Sequence, residues 1–293
     1  MNEIARLVVK GWPSPRLITL EKWLYQSVIH LKNKDQKTKF LITPGGFSLG
    51  KFPKQWDKAS GWDSPKESLA ELVPHALPVV EQVVSKRVLK AAKNVVSYIT
   101  LNVDLRSSST KKHAELIALI DVKAEKILGW TGKSYPTTNQ ENTLIHVTDL
   151  SSHLFEIGSD RIIILGCHDL NVYSGRARAN QKAGGSRNQR SQQMLKYFKR
   201  FNPTHIIQHP HGTDTWRSWN GTWKQLLARH PDIYWASAIG YASNNGKCRA
   251  PLKDVLALTH YKGSKALDVV VKGRNKRSFL QRQYIPPIAA LSR

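Results

Sequence analysis

Cysteine is scarce in this chain: there are two in 293 residues, Cys167 and Cys248. A pair so far apart excludes a disulfide-stapled scaffold and leaves each thiol to be judged by its surroundings. Acid is scarce too, with 21 Asp and Glu against 45 Lys and Arg, a formal charge of +24. That excess favours polyanionic partners such as RNA or DNA. No apolar run approaches the roughly 18 residues a membrane span needs. The opening MNEIARLVVKGW lacks the basic, apolar and small-residue succession of a signal peptide, so the expected location is cytoplasmic, with no membrane partner. Internal repeats and low-complexity linkers are also missing.

What remains is a globular composition, 40% hydrophobic with nine tryptophans, long enough to bury a large core. The positive charge is dispersed. One cluster is Lys32, Lys34, Lys37 and Lys39; a second is Arg176, Arg178, Lys182, Arg187 and Arg190; the tail adds Lys272, Arg274, Lys276 and Arg277. Each cluster also fits an ordinary solvated face.

Ala5 to Gly11 reads as a first strand, and Leu17, Leu20, Leu24, Val28 and Leu31 then recur at helical spacing. Lys39–Thr43 reads as a strand ended by Pro44-Gly45-Gly46. A second helical stretch, interrupted by Pro74 and Pro78, runs to about Asn94. Val96–Leu105, Ala114–Val122, Glu125–Thr131, Leu144–Asp149 and Arg161–Gly166 read as strands. A basic helix with Leu195, Phe198 and Phe201 on one face follows. Then come a strand at His205–Gln208, a helix marked by Trp219, Trp223, Leu226 and Leu227, and strands at Ile233–Ile239 and Leu267–Val271. Helices at two separated points around many strands predict two sheets between helical layers.

The most telling run is Ile162-Ile163-Ile164-Leu165-Gly166-Cys167-His168-Asp169. A buried strand stops at a glycine and delivers a thiol to a polar turn, where α/β folds open their ligand crevices. Such a thiol is a nucleophile when a base or cation favours its thiolate, and a buried structural cysteine otherwise. Two more segments precede it in order. Gly132-Lys133-Ser134-Tyr135-Pro136-Thr137 leads to Glu141, and Ile42-Thr43-Pro44-Gly45-Gly46-Phe47 leads to Gly50-Lys51-Phe52-Pro53.

Together these segments resemble the carbon–nitrogen hydrolase (nitrilase) superfamily, in element order from Ala5 to about Val271. The resemblance implies a four-layer αββα sandwich and a Glu-Lys-Cys triad. Cys167 corresponds to the nucleophile and Lys133 to the lysine that stabilises an oxyanion; Glu141 corresponds to the glutamate that follows the lysine motif. The position matching the catalytic glutamate is Gly45, which can neither accept nor return a proton. Glu67 or Glu71 entering from the next helix, or Glu141, Asp104 or His168 by motif, would have to serve; the alternative is a fold that has lost its chemistry.

His205, His209, His211 and Asp214 follow a strand, and with Asp149, His153, His168 and Asp169 they also resemble a metallophosphoesterase set. In the nitrilase reading His209, His211 and Trp216 shape substrate binding instead, beside His168, Asp169 and Tyr135. The stretch from Arg176 to Arg190 reads as a loop overhanging the Cys167 pocket and favours anionic substrates or phosphates.

The expectation is thus an αββα domain over residues 1–272 with a basic tail at 273–293. It hydrolyses an amide or nitrile through a Cys167 acyl intermediate, without cofactor or metal, and assembles as a homo-oligomer. A non-catalytic nitrilase-fold protein that binds nucleic acid or a protein partner is the alternative, and a metal-dependent phosphoesterase is a third.

Overall fold

The computed structural model describes residues 2–59, 68–175, 183–243, 247–261 and 267–274. Of the residues singled out above, Glu67, Arg176, Arg178, Lys182, Lys276, Arg277 and most of the tail lie outside these. Two sheets stack face to face with helices on both outer faces, the four-layer αββα arrangement.

The first sheet has eight strands. β1 (Asn2–Lys10) pairs in parallel with β2 (Thr38–Ile42) on one edge and with β12 (Leu267–Lys272) on the other. Past the end of β2, the short β11 (Gly240–Tyr241) continues along β1 at Val9 and Lys10. β2 pairs with β4 (Val96–Arg106), and β3 (Ser48–Lys51) takes over the same edge of β4 from Val103. β5 (His113–Asp121) and β6 (Lys126–Gly132) complete the sheet as an antiparallel meander. The second sheet runs β10 (Tyr234–Ser237), β9 (His205–Gln208), β8 (Asp160–Leu165), β7 (Leu154–Ile157).

Between the sheets lies a core of Ile4, Phe40, Ile42, Ile117, Leu119, Ile162, Ile164, Ile207, Ala236 and Ala238. The apolar runs in β2 and β8 follow from this: alternate residues face the sheet partner and the outer helices, so neither face meets water. On the outer face of the first sheet pack α1 (Leu17–Asn33), α2 (Ser68–Val83) and α3 (Lys86–Ala92). On the second lie α4 (Ser186–Phe201) and α5 (Arg217–Leu227), with Trp223 stacked on Trp235 at 4.3 Å. A last short helix, α6 (Leu252–Ala257), buries Val255 against Val8 and Ile239.

The structure departs from the sequence reading at definite places. Pro74 and Pro78 do not interrupt α2, which runs continuously through both. Each proline costs a backbone bond, but Leu72, Ala76, Val79, Val80 and Val83 bury one stripe of the helix. The break comes later, where Ser85 caps α3 by accepting from the Val88 N–H at 3.3 Å. Leu144–Asp149 is not a strand. Ile145 N–H donates to His113 O, whereas Val147 N–H donates to Lys133 O. The segment therefore bridges two neighbours instead of laddering with one, and Asp149 ends it as the cap of a 3₁₀ turn.

Candidate active site

Two chain crossings bring the site together. β8 ends at Leu165, and Gly166 then passes close to Lys133: a Cβ on Gly166 would come within 2.9 Å of Lys133 Cα. Only glycine permits this approach. Asp169 locks it. Its Oδ2 accepts from Gly166 N–H (2.8 Å), and its Oδ1 from Ser134 N–H (3.0 Å) and Tyr135 N–H (2.7 Å). The fully buried Asp169 thus ties the cysteine turn to the lysine loop, with both its oxygens engaged by backbone N–H groups.

The second crossing is made by the loop after β9. Gly45 N–H donates to Pro210 O at 3.0 Å. A Cβ on Gly45 would meet His209 O at 2.5 Å and His211 N at 2.8 Å. Gly46 has φ +62°, and its Cβ would reach His211 Cδ2 at 2.7 Å. The place where the resemblance puts a glutamate is therefore filled by the 209–211 loop and the His211 ring.

These crossings frame a cleft of about 990 Å³ with Cys167, His168, Lys133, Glu115, His113, His211, Gln140 and Trp219 in its wall. Lys133 is buried and donates to Glu115 Oε1 (3.1 Å) and Gln140 Oε1 (2.7 Å). Burial alone would drive its ammonium down; the Glu115 carboxylate, aided by Cys167 and Asp169, raises it instead. Burial likewise pushes Glu115 up, but Lys133 and then His211 bring it to about 2.

His211 N–H donates to Cys167 Sγ at 3.5 Å. Its Nε2 donates to both oxygens of Asp104 at 3.0 Å, and its Nδ1 stands 3.7 Å from Glu115 Oε2. Asp104 is wholly buried and also accepts from Arg106 Nη2 at 2.7 Å. Burial works against charge on His211, and the carboxylates of Asp104 and Glu115 overcome it, to about 10. The Asp104 carboxyl, though its burial acts upward, is held well below its usual range by His211 and Arg106.

Cys167 is 7% exposed. Burial raises its thiol, but His168 foremost, and then His211, bring it down to about 5. Asn171 Nδ2 donates to His168 Nδ1 at 3.2 Å, which makes Nε2 the nitrogen that carries hydrogen. The His168 ring lies 5.5 Å from Trp219. These surroundings favour the thiolate of Cys167 and the imidazolium of His211, in a wall that also holds the Lys133–Glu115 ion pair.

Other sequence candidates fall elsewhere. Glu141 stands 3.5 Å from Arg187 Nε, and Gln140 reaches Lys133 in its stead. Tyr135 is buried and accepts from Arg187 Nη2 at 3.2 Å. His209 is buried with Nδ1 donating to Thr43 O (2.7 Å), and burial pushes it down to about 4. Trp216 lines a shallow depression with Arg249 and Asp254, not the main cleft. Glu71 accepts from Trp56 Nε1 at 2.8 Å. His205 pairs with Glu3, and Asp214 with Arg249. Among the described residues no three His, Cys, Asp or Glu side chains converge as a metal-ligand set.

Glu115 was invisible to motif reading because it sits mid-strand in an apolar run. One signal marked it: Asp104 and Glu115 are charges inside strands that are otherwise buried, and they are directly paired across β4 and β5.

No family model matches the sequence, and no curated protein does. Solved structures do. Nit3 from Saccharomyces cerevisiae, described as a member of branch 10 of the nitrilase superfamily, superposes with TM-score 0.50 at 12% identity, over 81% of this chain and 74% of its own. An amidase from Nesterenkonia sp. AN1, with acrylamide added at its active-site cysteine, gives TM-score 0.48 at 14% identity over 82% and 79%. A glutamine-dependent NAD+ synthetase from Acinetobacter baumannii gives 0.47 at 10% identity over 82% and 38%. The chain has the nitrilase-superfamily fold. Among the described residues no helix is long and apolar enough to cross a membrane.

Proposed function

We propose that this chain is a hydrolase of carbon–nitrogen bonds, a divergent nitrilase-superfamily member acting on an amide or nitrile through Cys167. The observation that carries the reading is the placement of Cys167 Sγ at a strand end, in a cleft wall shared with the Lys133 ammonium and three histidines. Thiolate attack on an amide carbonyl builds charge on its oxygen, and a fixed ammonium is the group that stabilises it. Lys133 is fixed from two sides, by Glu115 and Gln140. Glu115 supplies, from β5, the acid beside the lysine.

The cleft's outer rim carries Arg106, Lys111, Lys112, Lys247 and Arg249. Arg106 and Arg249 are matched to Asp104 and Asp214; the lysines leave a net positive mouth suited to an anionic group on the substrate.

The test is ammonia release from a panel of simple and carboxylated amides and nitriles by purified protein. Release by the wild type, lost in Cys167→Ala and in Lys133→Met, is expected. Release undiminished in Cys167→Ala overturns the reading.

A further inference from the structure

We propose that His211, oriented by Asp104, is the proton carrier of the Cys167 reaction, in the space a glutamate at position 45 would otherwise need. The inference rests on the hydrolase reading and assigns a group within it.

The geometry is specific. Gly45 and Gly46 admit no side chain, because the 209–211 loop and the His211 ring already occupy that volume. His211 Nε2 is spent on Asp104, at 3.0 Å from both oxygens. The nitrogen left for substrate is Nδ1, which stands 3.7 Å from Glu115 Oε2, beyond hydrogen-bond distance, in a residue that lines the cleft. A buried carboxylate behind an imidazole fixes its orientation and stabilises its protonated form. Asp104 does no chemistry of its own in this scheme; it is a positioning residue.

The His211 ring faces Asp104 from β4 and Glu115 from β5, and its backbone N–H is held on Cys167 Sγ after β8, which keeps the loop and the thiol together. Behind them stand Arg106 on Asp104, and Lys133 and His113 on Glu115. His209, on the same loop, faces away to Thr43 O. Glu115 is the rival carrier. Its Oε1 holds the Lys133 ammonium, and a carboxylate brought to about 2 is a weak proton acceptor.

The cycle balances with His211 alone. The Cys167 thiolate forms a C–S bond to the amide carbonyl, and the carbonyl pair moves to oxygen opposite Lys133. Collapse breaks the C–N bond while His211 Nδ1–H passes its proton to the departing nitrogen. Forming the thioester removes the thiolate's charge, which lowers the proton affinity of His211 at that moment. Water then adds to the thioester as neutral His211 takes its proton. Cys167 leaves as thiolate, and the imidazolium is restored.

The test uses p-nitrophenyl acetate at pH 9, where a leaving phenolate needs no acid and an ordinary thiol is itself largely ionised. Wild type should show a burst followed by turnover, with an acetyl group found on Cys167 by mass spectrometry. His211→Gln should keep the burst and slow deacylation about 10²–10⁴-fold. Asp104→Asn, an isosteric change, removes the charge that raises His211. The rising alkaline limb of its deacylation profile should move to lower pH by about one unit or more. A His211→Gln enzyme that deacylates at the wild-type rate, or an unmoved limb in Asp104→Asn, overturns the assignment. A burst that persists in Cys167→Ala overturns the nucleophile itself, a different result from either.

Discussion

The His211 ring and Gly46 exclude one another: a Cβ on residue 46 would lie 2.7 Å from His211 Cδ2 and 3.1 Å from Asp104 Oδ2. The absence of side chains at 45 and 46 and the seating of the His211 ring are thus two halves of one packing arrangement. Adding a side chain there should therefore damage the site. Gly46→Ala places a Cβ at φ +62°, which costs about 1–2 kcal/mol, and it also displaces His211. Gly45→Glu drives its side chain into the 209–211 backbone. Both variants should melt below wild type and alkylate Cys167 more slowly at pH 6. A Gly45→Glu protein with wild-type melting temperature and faster Cys167 labelling would contradict the packing.

The two thiols should part company in a pH series. Cys167 is brought to about 5 by His168 and His211, whereas burial raises Cys248 above its usual 9.0. Iodoacetamide reacts with the thiolate. Labelling of Cys167 should reach half its maximal rate near pH 5, while labelling of Cys248 is still climbing at pH 9. Peptide-level mass spectrometry separates the sites, and parallel profiles would remove the activated thiol.

The Lys133–Glu115 pair is buried, so breaking it on one side leaves a buried charge without its nearest counter-ion: Lys133 keeps only the neutral Gln140 at hydrogen-bond distance, and Glu115 keeps the histidines His211 and His113 nearby. Glu115→Ala or Lys133→Met should each cost about 3–5 kcal/mol. The double variant Lys133→Met/Glu115→Leu should cost clearly less than the two combined, because no orphan charge remains. Additive losses in urea unfolding would mean that the pair is not the coupled unit its 3.1 Å contact implies.

Much of this architecture was legible in the chain. The apolar runs 39–43 and 161–166 announced buried strands, and Gly166-Cys167 announced a strand end carrying a thiol. Lys133, singled out by its motif, lies in the cleft wall with Cys167. Asp104, Glu115 and the placement of His211 were less legible. Asp104 and Glu115 are separated in sequence, and they meet only because β4 and β5 pair antiparallel with Asp104 opposite Glu115. His211 was legible as a pocket residue, but its role depends on a crossing between residues 45–46 and 209–211 that no local pattern encodes. Asp169 shows the opposite failure. It stands two residues after Cys167 in sequence, yet both its oxygens are engaged by backbone N–H groups, three in all. Trp216 and Trp219 lie on neighbouring turns, and the helix phase that brings Trp219 to the cleft was beyond what two tryptophans could specify.

The final prediction follows from proton counting between folded and unfolded chains. Glu115 is depressed from 4.5 to about 2, so its contribution is complete above pH 4.5 and is lost as pH falls toward 2. Cys167 is depressed from 9.0 to about 5, and His211 is raised from 6.5 to about 10. Between pH 5 and 6.5 the folded pair is thiolate and imidazolium, whereas the unfolded pair is thiol and imidazolium. The unfolded state holds one more proton, so stability rises with pH. Between 6.5 and 9 the unfolded pair is neutral and the folded pair zwitterionic. The proton counts are equal, and this pair contributes no slope. Above pH 9 the unfolded cysteine ionises while folded His211 stays protonated, so stability falls toward pH 10. Cys167→Ala removes one half of this balance. Its stability should already decline from about pH 6.5, as the unfolded imidazole loses the proton that folded His211 keeps. Urea midpoints measured from pH 5 to 10 on both proteins decide the matter. Equal slopes between pH 6.5 and 9 would show that Cys167 and His211 do not share an ion pair.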